Sequence, residues 1–395
     1  MDLLDSVLNG KIFENFDIAN AQDSDFERLS KELAKLYDYD IFTLGDAADS
    51  IRRKMYQNKV FFNMNRHINP TNICADTCKF CAFSASRKNP NPYDMSISQV
   101  VAECVDAYSR GAKEVHIVSA HHPEHSYSHN LEMFKAIKKA VPKLHVKAMG
   151  AAEIDYLTRK FELPLQKVLD DLVESGVDSL PGGGAEIFHP SVRKKLCHGK
   201  ADAARWLEIH KAWHKMGRMS NATMLFGHIE ERWHRIEHIL RLRFAQTSLA
   251  AANAKSGGFN AFIPLLYQRY NNFLKAKDAP TAQEILKTIS IARILLDNIP
   301  HIKAYWASLS FNLAIVAQEF GSDDMDGTIE KESIQSAAGA KSRNGVSKSE
   351  MISQIQNAGF IPVERDSLYN ELRVFESYED SKSEDSKVQD RILAV

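Results

Sequence analysis

The sequence predicts an α/β protein built on a barrel of eight parallel strand–helix units, the (β/α)8 or TIM-type architecture. From residue 59 onward, short apolar runs alternate with amphipathic helical stretches, which is the pattern of a parallel sheet. Polar residues suited to chemistry fall just after these runs, where a parallel barrel places its site. An open doubly wound sheet is disfavoured because no G-x-G-x-x-G follows the first run. A partial barrel of six units plus an extension remains an alternative.

Residues 1–58 are predicted to form an N-terminal helical segment. Apolar residues recur there at the three- and four-residue spacing of a helix. They are Phe26, Leu29, Leu33 and Leu36 in one stretch, and Leu44, Ala48, Ile51 and Met55 in a second. The pattern changes to short strand-like runs only after this segment.

The predicted barrel occupies residues 59–335 and contains eight strand-like runs. These are Val60–Asn65, Glu114–Ser119, Leu144–Met149, Val177–Leu180, Asn221–Phe226, Phe259–Pro264, Ile302–Ala307 and a weaker run at Met325–Ile329. Helix signals lie between them. Ser96 and Gln99 have the spacing of a capping box, Pro164 suits a first helical position, and Gly176 suits a helix end.

Beyond the barrel, residues 336–375 are predicted to form a C-terminal helical extension. It contains one helix at Lys348–Asn357 and then the short segment 360–362. Residues 376–395 are mostly Ser, Asp, Glu and Lys, a composition that cannot bury enough apolar surface to fold. We therefore expect them to be a solvated or disordered tail without a chemical role.

Composition indicates an ordinary globular enzyme-sized protein of 395 residues, 44% apolar and 26% charged. The formal net charge is −1, so no global field favours nucleic acid or an anionic membrane as a partner. The first residues lack the basic and apolar regions of an export signal. No apolar run approaches the length that spans a bilayer. Five cysteines without a secretory segment suit a reducing interior, so a cytoplasmic location is expected.

The most informative motif is Cys74-Ala75-Asp76-Thr77-Cys78-Lys79-Phe80-Cys81, a C-x3-C-x2-C run after the first strand. A four-iron cluster normally takes four thiolates. Three from one loop leave the fourth iron open, which is a place to bind and reduce a ligand. Structural zinc is the rival interpretation, and His67 and His116 are the residues that could complete such a site. The other two cysteines have no C-x-x-C partner: Cys104 is expected to be buried and Cys197 to be a surface thiol.

Further candidate residues follow the later runs. They are His121-His122-Pro123-Glu124 after the second, Gly150–Glu153 after the third, Gly182-Gly183-Gly184 after the fourth, and His228 and Glu230 after the fifth. The glycines either let backbone N–H groups approach an anion or only make a tight turn. Glu153 either accepts ribose hydroxyls or caps a helix. The histidines at 121, 122, 125 and 129 suit a substrate or cofactor pocket better than a second metal.

The cysteine spacing resembles that of the radical S-adenosylmethionine (SAM) enzymes. Asn65–Ile73, Leu180–Glu186 and Thr223–Glu230 narrow the resemblance to the enzymes of the futalosine route to menaquinone and of deazaflavin cofactor assembly. The aminofutalosine synthase family is the most similar, through residues 67–72, 121–124 and 149–153. Dehypoxanthine futalosine cyclases more often have Tyr-Thr-Asn in the sequence that leads into the cysteines, and Ser-Pro-Pro-Glu in place of Gly150–Glu153. The resemblance covers about residues 45 to 370.

The resemblance implies a [4Fe–4S] cluster whose free iron is chelated by the amine and carboxylate of SAM. One electron would split SAM into methionine and a 5′-deoxyadenosyl radical. The radical would add to the alkene of 3-[(1-carboxyvinyl)oxy]benzoate, followed by aryl migration and loss of a carboxylate. The product would be 6-amino-6-deoxyfutalosine, a menaquinone precursor. Such a transferase needs a reducing electron donor such as flavodoxin or ferredoxin.

The predicted site residues form three sets. Metal and cofactor binding is assigned to Cys74, Cys78, Cys81, Phe80, Ser119, Ala120, Glu153, Gly182 and Gly183. Ser119 and Ala120 stand where this superfamily more often has glycines. Catalytic roles are assigned to His122, His228 and Glu230, and substrate binding to His121, Arg269 and Lys255. His228 and Glu230 are expected to face the same side of an extended strand end. The alternatives are the cyclase, a deazaflavin-cofactor synthase and a zinc-binding interaction module.

Overall fold

The computed structural model describes residues 2–14, 16–18, 20–252, 257–276, 278–330, 333–340 and 345–376, and the side chains of 249–252 are left aside. Before the barrel lie helices α1 (Leu3–Leu8), α2 (Asp23–Leu33) and α3 (Ile41–Tyr56), with 3-10 turns at Lys11–Phe13 and Ala34–Asp38. Asp40 starts α3 because its carboxylate accepts the N–H groups of Phe42 and Thr43, both at 2.9 Å. The predicted tail at 377–395 lies outside the described residues.

Eight strands build the barrel. Their bounds are β1 (Lys59–Asn63), β2 (Asn65–Ile68), β3 (Glu114–Ile117), β4 (His145–Ala148), β5 (Ser220–Phe226), β6 (Phe259–Leu266), β7 (His301–Ile302) and β8 (Asp324–Gly327). The first predicted run is divided at Met64: β1 pairs with β8, and β2 pairs with β3. All pairings within the ring are parallel.

The predicted run Val177–Leu180 forms no ladder and is joined to its neighbours by single bridges. Ser179 pairs with Lys147 of β4, and Leu180 pairs with Ser220 of β5. A third single bridge, from Lys303 to Asp324, joins β7 to β8. With β1 and β2 counted as one segment and 177–180 as another, eight parallel segments follow one another around the ring in chain order. The predicted α/β barrel is confirmed, and this closure favours the eight-unit version over the six-unit one.

The seventh run was predicted too long. The strand ends at Ile302, and the chain turns into a short helix, Trp306–Leu309, where a strand was expected. The Trp306 indole N–H donates to the Gly327 carbonyl at 2.8 Å, inside the barrel wall. This tertiary bond fixes the turn, and apolar periodicity alone does not reveal it.

Helices cover the outside of the ring. In chain order they are α4 (Ile97–Ser109), α5 (Tyr127–Ala140), α6 (Ala151–Lys160), α7 (Leu165–Ser175), α8 (Pro190–Leu196), α9 (Ala203–Lys215), α10 (Arg232–Ala252), α11 (Ala282–Leu295), α12 (Trp306–Leu309), α13 (Phe311–Val316) and a 3-10 turn at Ala317–Phe320. The capping box before α4 is confirmed by reciprocal bonds between Ser96 and Gln99. Pro164 precedes α7 by one position instead of beginning it. Gly176 ends α7 with φ 103°. None of the helices described is both long and apolar enough to cross a membrane.

The C-terminal extension is not purely helical, which corrects the prediction. After α14 (Ile334–Ala337) and the predicted helix α15 (Lys348–Asn357) come two strands, β9 (Ile361–Arg365) and β10 (Glu371–Val374). β9 pairs in parallel with β1, and β10 pairs antiparallel with β9. The open edge of β1 outside the ring accepts this hairpin, which local sequence signals could not show. The domain boundaries at 58, 335 and 375 stay predictions.

The β9–β10 hairpin closes the end of the barrel at which the strands begin. The Arg365 guanidinium meets the Asp324 carboxylate at 2.6 Å, and neither side chain is exposed. Arg365 also lies over the ring of Tyr369, which stacks on His301 at 3.5 Å. The Asn260 amide donates to the Ser367 carbonyl at 3.3 Å. The opposite end, where the strands finish, is left for the site.

We expect Arg365→Met to lower the free energy of unfolding by about 3–5 kcal/mol, because it leaves the Asp324 carboxylate buried without its cation. The matched control is Lys59→Met on the adjacent strand. Lys59 pairs with Glu371 at 2.7 Å, but both side chains are about one-third exposed, so its loss costs under about 1 kcal/mol. Urea unfolding followed by circular dichroism measures both, and equal losses would contradict the prediction.

Candidate active site

The three cysteines lie on the loop that follows β2. Cys78 is buried, whereas Cys74 and Cys81 are partly exposed, and none of them is in a disulfide. The Cys81 N–H donates to the Cys78 carbonyl at 3.1 Å and closes a tight turn. The Ala75 N–H donates to the His121 carbonyl at 2.8 Å. The loop is therefore tied to the segment that follows β3, at the end of the barrel opposite the hairpin.

Asn72 lies just before the cysteines, and its side-chain hydrogen bonds stabilise their loop. Its amide donates to the Asn91 carbonyl at 3.0 Å, and its side-chain oxygen accepts the Tyr93 N–H at 2.9 Å. Its backbone carbonyl accepts the Ala85 N–H at 2.8 Å. The buried Asn72 side chain thus ties the start of this loop to Asn91 and Tyr93 near its end.

Two of the cysteine sulfurs accept backbone hydrogen bonds. The His121 N–H lies 3.4 Å from Cys74 Sγ, and the Ser84 N–H lies 3.4 Å from Cys81 Sγ. Burial raises the pKa of Cys78 to about 12, so its thiolate needs a cation beside it. Iron–sulfur clusters are held by thiolates whose sulfurs accept such bonds. The donor set therefore fits a cluster bound by three cysteines.

Lys200 is a site residue that the sequence reasoning missed. Its ammonium lies 3.3 Å from Glu186 Oε1 and over the ring of Phe80, 5.4 Å from the centroid. Burial opposes its charge, but Cys78 and Glu186 raise the pKa of Lys200 well above its usual value. Phe80 thus contributes to the wall around this cation. The only sequence signal was the position of Lys200, three residues after Cys197. Cys197 itself is buried, so the prediction that it is a surface thiol was wrong.

The glycine loop after the fourth run allows close packing against β5 at one glycine and leaves space for a ligand at another. A side chain at Gly182 would meet the backbone of Ala222 and Thr223 at 2.7 Å, so close approach to β5 requires glycine there. Around Gly183 a side chain would meet nothing within 4 Å. The Arg193 guanidinium donates to the carbonyls of Gly184 and Ala185 at 2.7 and 2.6 Å. Only Gly183 of the two predicted glycines therefore borders open space.

Glu153 fixes the loop after β3. Its two oxygens accept the N–H groups of Ser119 at 3.1 Å and Gly150 at 2.7 Å, and the second bond caps α6. Burial raises the pKa of Glu153 to about 7. The Ala120 N–H donates to the Thr71 carbonyl at 3.1 Å. The described bonds thus engage the N–H groups of Ser119 and Ala120, and their carbonyls are the groups left to meet a ligand.

His121 supports the cysteine loop. Its ring is buried, stacks on Tyr156 at 4.9 Å, and places Nδ1 2.8 Å from Asp76 Oδ2. His121 lowers the pKa of Asp76, a residue between the first two cysteines. With its backbone bonds to Cys74 and Ala75, this residue holds the loop from the side chain and from the main chain. A direct role in substrate binding stays a prediction.

The histidines that follow form a stack along one surface. The ring of His122 lies 3.9 Å from that of His125, which lies 3.8 Å from that of His129. Asp94 is 2.9 Å from His125 Nε2 and 4.0 Å from His122 Nε2. Ligand atoms of Asp94, His122 and His125 are close enough to share an ion. However, the lone pairs of these two stacked rings lie in nearly parallel planes, 12° apart, and do not converge on one ion, which supports the pocket interpretation over a metal.

His228 and Glu230 do not lie on an extended strand end, which corrects the prediction. Gly227 has φ 87° and turns the chain directly after β5. The Glu230 carboxylate accepts the N–H groups of Gly227 and His228 at 2.6 and 2.8 Å, and Arg235 Nε lies 2.7 Å away. Nδ1 of His228 lies 2.9 Å from Glu230 Oε2 and 2.7 Å from the Ile229 nitrogen. Both side chains are fully buried, so they shape this turn.

Arg269 lies on the segment after β6 and reaches the same turn. Its Nη2 donates to the Gly227 carbonyl at 3.1 Å. Its Nε is buried and has no acceptor among the described residues. A guanidinium with an unused N–H near the barrel mouth is suited to a carboxylate. Lys255, the other predicted cation, lies outside the described residues.

The barrel interior holds buried ion pairs that the sequence did not reveal. Lys147 on β4 pairs with Glu114 on β3 at 2.7 Å. Lys303 pairs with Asp326 at 3.2 Å. His67 and His116 contact each other at 3.4 Å on adjacent strands. The four ion-paired residues sit within apolar strand runs, so hydropathy did not mark them as site residues, whereas His67 and His116 were named only as possible zinc ligands.

Two family descriptions match successive parts of the chain. The one described as "Radical SAM superfamily" matches residues 68–243, and the one described as "CofH/MqnC C-terminal region" matches residues 256–378. The first match includes the three cysteines and the glycine loop. The second includes the segment after β6 and the hairpin that closes the barrel.

Individual proteins are similar over most of the chain. An aminodeoxyfutalosine synthase from Thermus thermophilus is 40% identical over 86% of this chain and 91% of its own length. A cyclic dehypoxanthine futalosine synthase from Streptomyces coelicolor is 34% identical over 87% of this chain and 85% of its own. Among solved structures, methylornithine synthase is similar with a TM-score of 0.62 and 16% identity, covering 90% of this chain and 97% of that one. This last likeness concerns the fold alone.

We expect Glu230→Gln to destabilise the protein by about 2–4 kcal/mol at neutral pH, because Arg235 and two backbone N–H groups lose a charged acceptor. Burial alone would raise the pKa of Glu230, but His228, Arg235 and the Gly227 N–H hold it well below its usual value. The contribution is thus complete above about pH 4.3, the unfolded value, and is lost as the pH falls below it.

The control is Glu231→Gln, the next carboxylate along the chain. It is exposed and accepts one bond, from the Trp233 indole at 3.0 Å. We expect a loss under about 0.5 kcal/mol for this variant. Urea midpoints at several pH values measure both, and a Glu230→Gln loss that grew toward acid pH would contradict the prediction.

Proposed function

Because the chain belongs to the radical SAM superfamily, with the C-terminal region shared by CofH and MqnC, we propose that it is an aminofutalosine synthase. It would join the 5′-deoxyadenosyl group of SAM to 3-[(1-carboxyvinyl)oxy]benzoate to give 6-amino-6-deoxyfutalosine. The observation that carries this choice is the 40% identity to a protein of that name over nearly its whole length. A cytoplasmic location and a role in menaquinone biosynthesis are parts of the same proposal.

Cys74, Cys78 and Cys81 would hold a [4Fe–4S] cluster with one iron left for SAM. When bound, the cluster and SAM together supply the 5′-deoxyadenosyl radical. The bonds from His121 and Ser84 to two of the sulfurs fix the direction of their lone pairs. Lys200, beside Cys78 and Phe80, is the cation available to the methionyl carboxylate of SAM.

The segment after β3 would receive the methionyl amine of SAM. The N–H groups of Ser119 and Ala120 already donate to Glu153 and Thr71, which turns their carbonyls into a fixed pair of acceptors. Glu153 acts here by positioning that pair. Its further role as an acceptor for ribose hydroxyls stays a prediction and would use its remaining lone pairs. Gly183, whose carbonyl borders Gly150, leaves space for a ligand on the adjoining loop.

The substrate carries two carboxylates that must be paired in a dry site. Arg269 has the unused N–H for one of them. Glu230 and His228 would act by positioning Arg269. The Glu230 carboxylate accepts the Gly227 N–H, and the Gly227 carbonyl accepts a hydrogen bond from Arg269. Substrate binding by His121 and a catalytic role for His122 stay predictions. Holding the alkene at reacting distance and excluding water are then the protein's main tasks.

The cyclase remains the second candidate because a protein of that name is 34% identical over a similar share of the chain. It would abstract a hydrogen atom instead of adding the adenosyl group. A deazaflavin-cofactor synthase, which would act on tyrosine, stays a third possibility from the resemblance. The zinc-binding interaction module is wrong, because the chain belongs to an enzyme superfamily.

The identity of the reaction can be measured directly. Anaerobic, chemically reduced protein given SAM and 3-[(1-carboxyvinyl)oxy]benzoate is expected to form 6-amino-6-deoxyfutalosine, detected by mass spectrometry. Free 5′-deoxyadenosine without an adduct would contradict the proposal and favour the cyclase. The same incubation with tyrosine in place of the benzoate serves as the control, and turnover there would favour a deazaflavin-cofactor synthase.

The role of the cysteine loop has its own prediction. Cys78→Ala is expected to abolish SAM cleavage, by at least about a thousandfold, since the cluster loses one of three thiolates. Cys104→Ala is the matched control: it removes an equally buried thiol from α4 and should retain activity within about twofold. Iron content and the rate of methionine formation measure both. SAM cleavage by anaerobically reconstituted Cys78→Ala protein would refute the assignment.

A further inference from the structure

Three segments meet at the outer side of the cysteine loop and form what we call the basic face: residues 74–92, 190–200 and 268–276. Backbone bonds join them, since the Lys79 N–H donates to the Leu196 carbonyl at 2.9 Å and the Phe273 N–H donates to the Lys79 carbonyl at 2.7 Å. The Lys88 ammonium also bonds to the Asn272 carbonyl. The three segments are therefore one continuous surface around Lys79.

The basic face carries charge of one sign. Its exposed lysine and arginine residues are Lys79, Arg87, Lys88, Lys194, Lys195 and Lys275. Within these three described segments no carboxylate is exposed, and the single one present, Asp76, is partly buried against His121. The exposed carboxylates of Asp94, Asp202 and Asp278 mark the margin of the face, two residues beyond the ends of the segments. None of the six cations takes part in an ion pair in the part of the chain that the structure describes. The whole chain has a formal net charge of −1, so this face differs from the surface at large.

An aromatic side chain lies within the basic face. Phe273 is 36% exposed, and Arg87 and Lys88 lie over its ring at 5.2 and 4.9 Å from the centroid. An exposed aromatic residue beside an arginine is typical of a protein–protein interface. Unpaired charges around it would steer a partner of opposite charge and speed its encounter.

The basic face also lies against the three cysteines. Lys79 stands between Cys78 and Cys81 in the chain, and Cys74 and Cys81 are themselves partly exposed. A partner seated here would be separated from the cysteine loop by little intervening protein. Short distances of this kind suit electron transfer better than delivery of a bulky substrate, which must reach the barrel mouth.

We propose that the basic face docks an acidic one-electron carrier protein. This inference rests on the proposed function, because it assumes that the cysteines hold a cluster that must be reduced. The reduced carrier loses one electron and the cluster gains it, and no bond is made or broken. Nucleic acid and an anionic membrane would also be attracted by positive charge. We favour the carrier because the charge surrounds the cysteine loop itself.

The test compares two double variants of the full-length, cluster-loaded protein. Lys194→Glu with Lys195→Glu reverses two charges of the basic face outside the cysteine loop. Lys139→Glu with Lys143→Glu makes the same change on exposed residues near the start of β4, at the other end of the barrel. Reduced flavodoxin, an acidic carrier, is mixed anaerobically with each protein, and cluster reduction is followed by visible absorbance at several salt concentrations.

At low salt the basic-face variant should be reduced at least about tenfold more slowly than wild type, and the difference should shrink as salt rises. The control variant should stay within about twofold. SAM cleavage driven by dithionite should be unchanged in both variants, which shows that the site is intact. Equal rates of reduction by flavodoxin in all three proteins, or an equal fall in the control, would overturn the proposal.

Two further outcomes separate the alternatives. If wild type binds duplex DNA or phosphatidylglycerol vesicles, and the basic-face variant loses that binding while its reduction by flavodoxin is unchanged, the docking proposal is overturned. If no protein cleaves SAM with either reductant, yet flavodoxin still reduces the cluster in the charge-dependent way described, the docking proposal stands and the proposed function fails.

Discussion

The candidate site depends on a loop that has no regular secondary structure. Between β2 and α4 the chain forms no helix and only isolated bridges, so the cysteines are placed by hydrogen bonds to other parts of the fold. Ala75 is tied to His121, Lys79 to Leu196, and Phe273 to Lys79. These partners come from loops after β3, within the α8 region and after β6. The barrel thus acts as a frame that brings three distant loops to one set of thiols.

The barrel also contains several buried ion pairs in its interior. Glu114 with Lys147 and Lys303 with Asp326 bridge strands inside the ring, and Arg365 with Asp324 closes its end. Removing such groups from water costs several kcal/mol per ion, which their mutual attraction only partly offsets. Their value lies in pairing particular strands, because a misaligned strand would bury a charge alone. The interior is therefore specific as well as stable.

The parts of the fold that were predictable from sequence are those set by local chemistry. The helix at Lys348–Asn357 and the capping box at Ser96 and Gln99 were read correctly because neighbouring residues determine them. Lys200 was missed because it meets Cys78 and Glu186 only in three dimensions. The turn holding His228 and Glu230 was misread because Gly227 adopts a positive φ that no strand pattern announces. No strand was expected where β9 and β10 form, since β1, the ring partner of β9, lies about 300 residues earlier.

The hairpin that seals the barrel follows all eight ring segments along the chain. A ribosome therefore releases the complete ring before the piece that covers Asp324 and His301 has been made. Until then these polar groups face water, and β1 shows an unpaired edge that another nascent chain could join. Folding during synthesis would be finished by the hairpin, and a product interrupted before it would present that edge to chaperones and proteases.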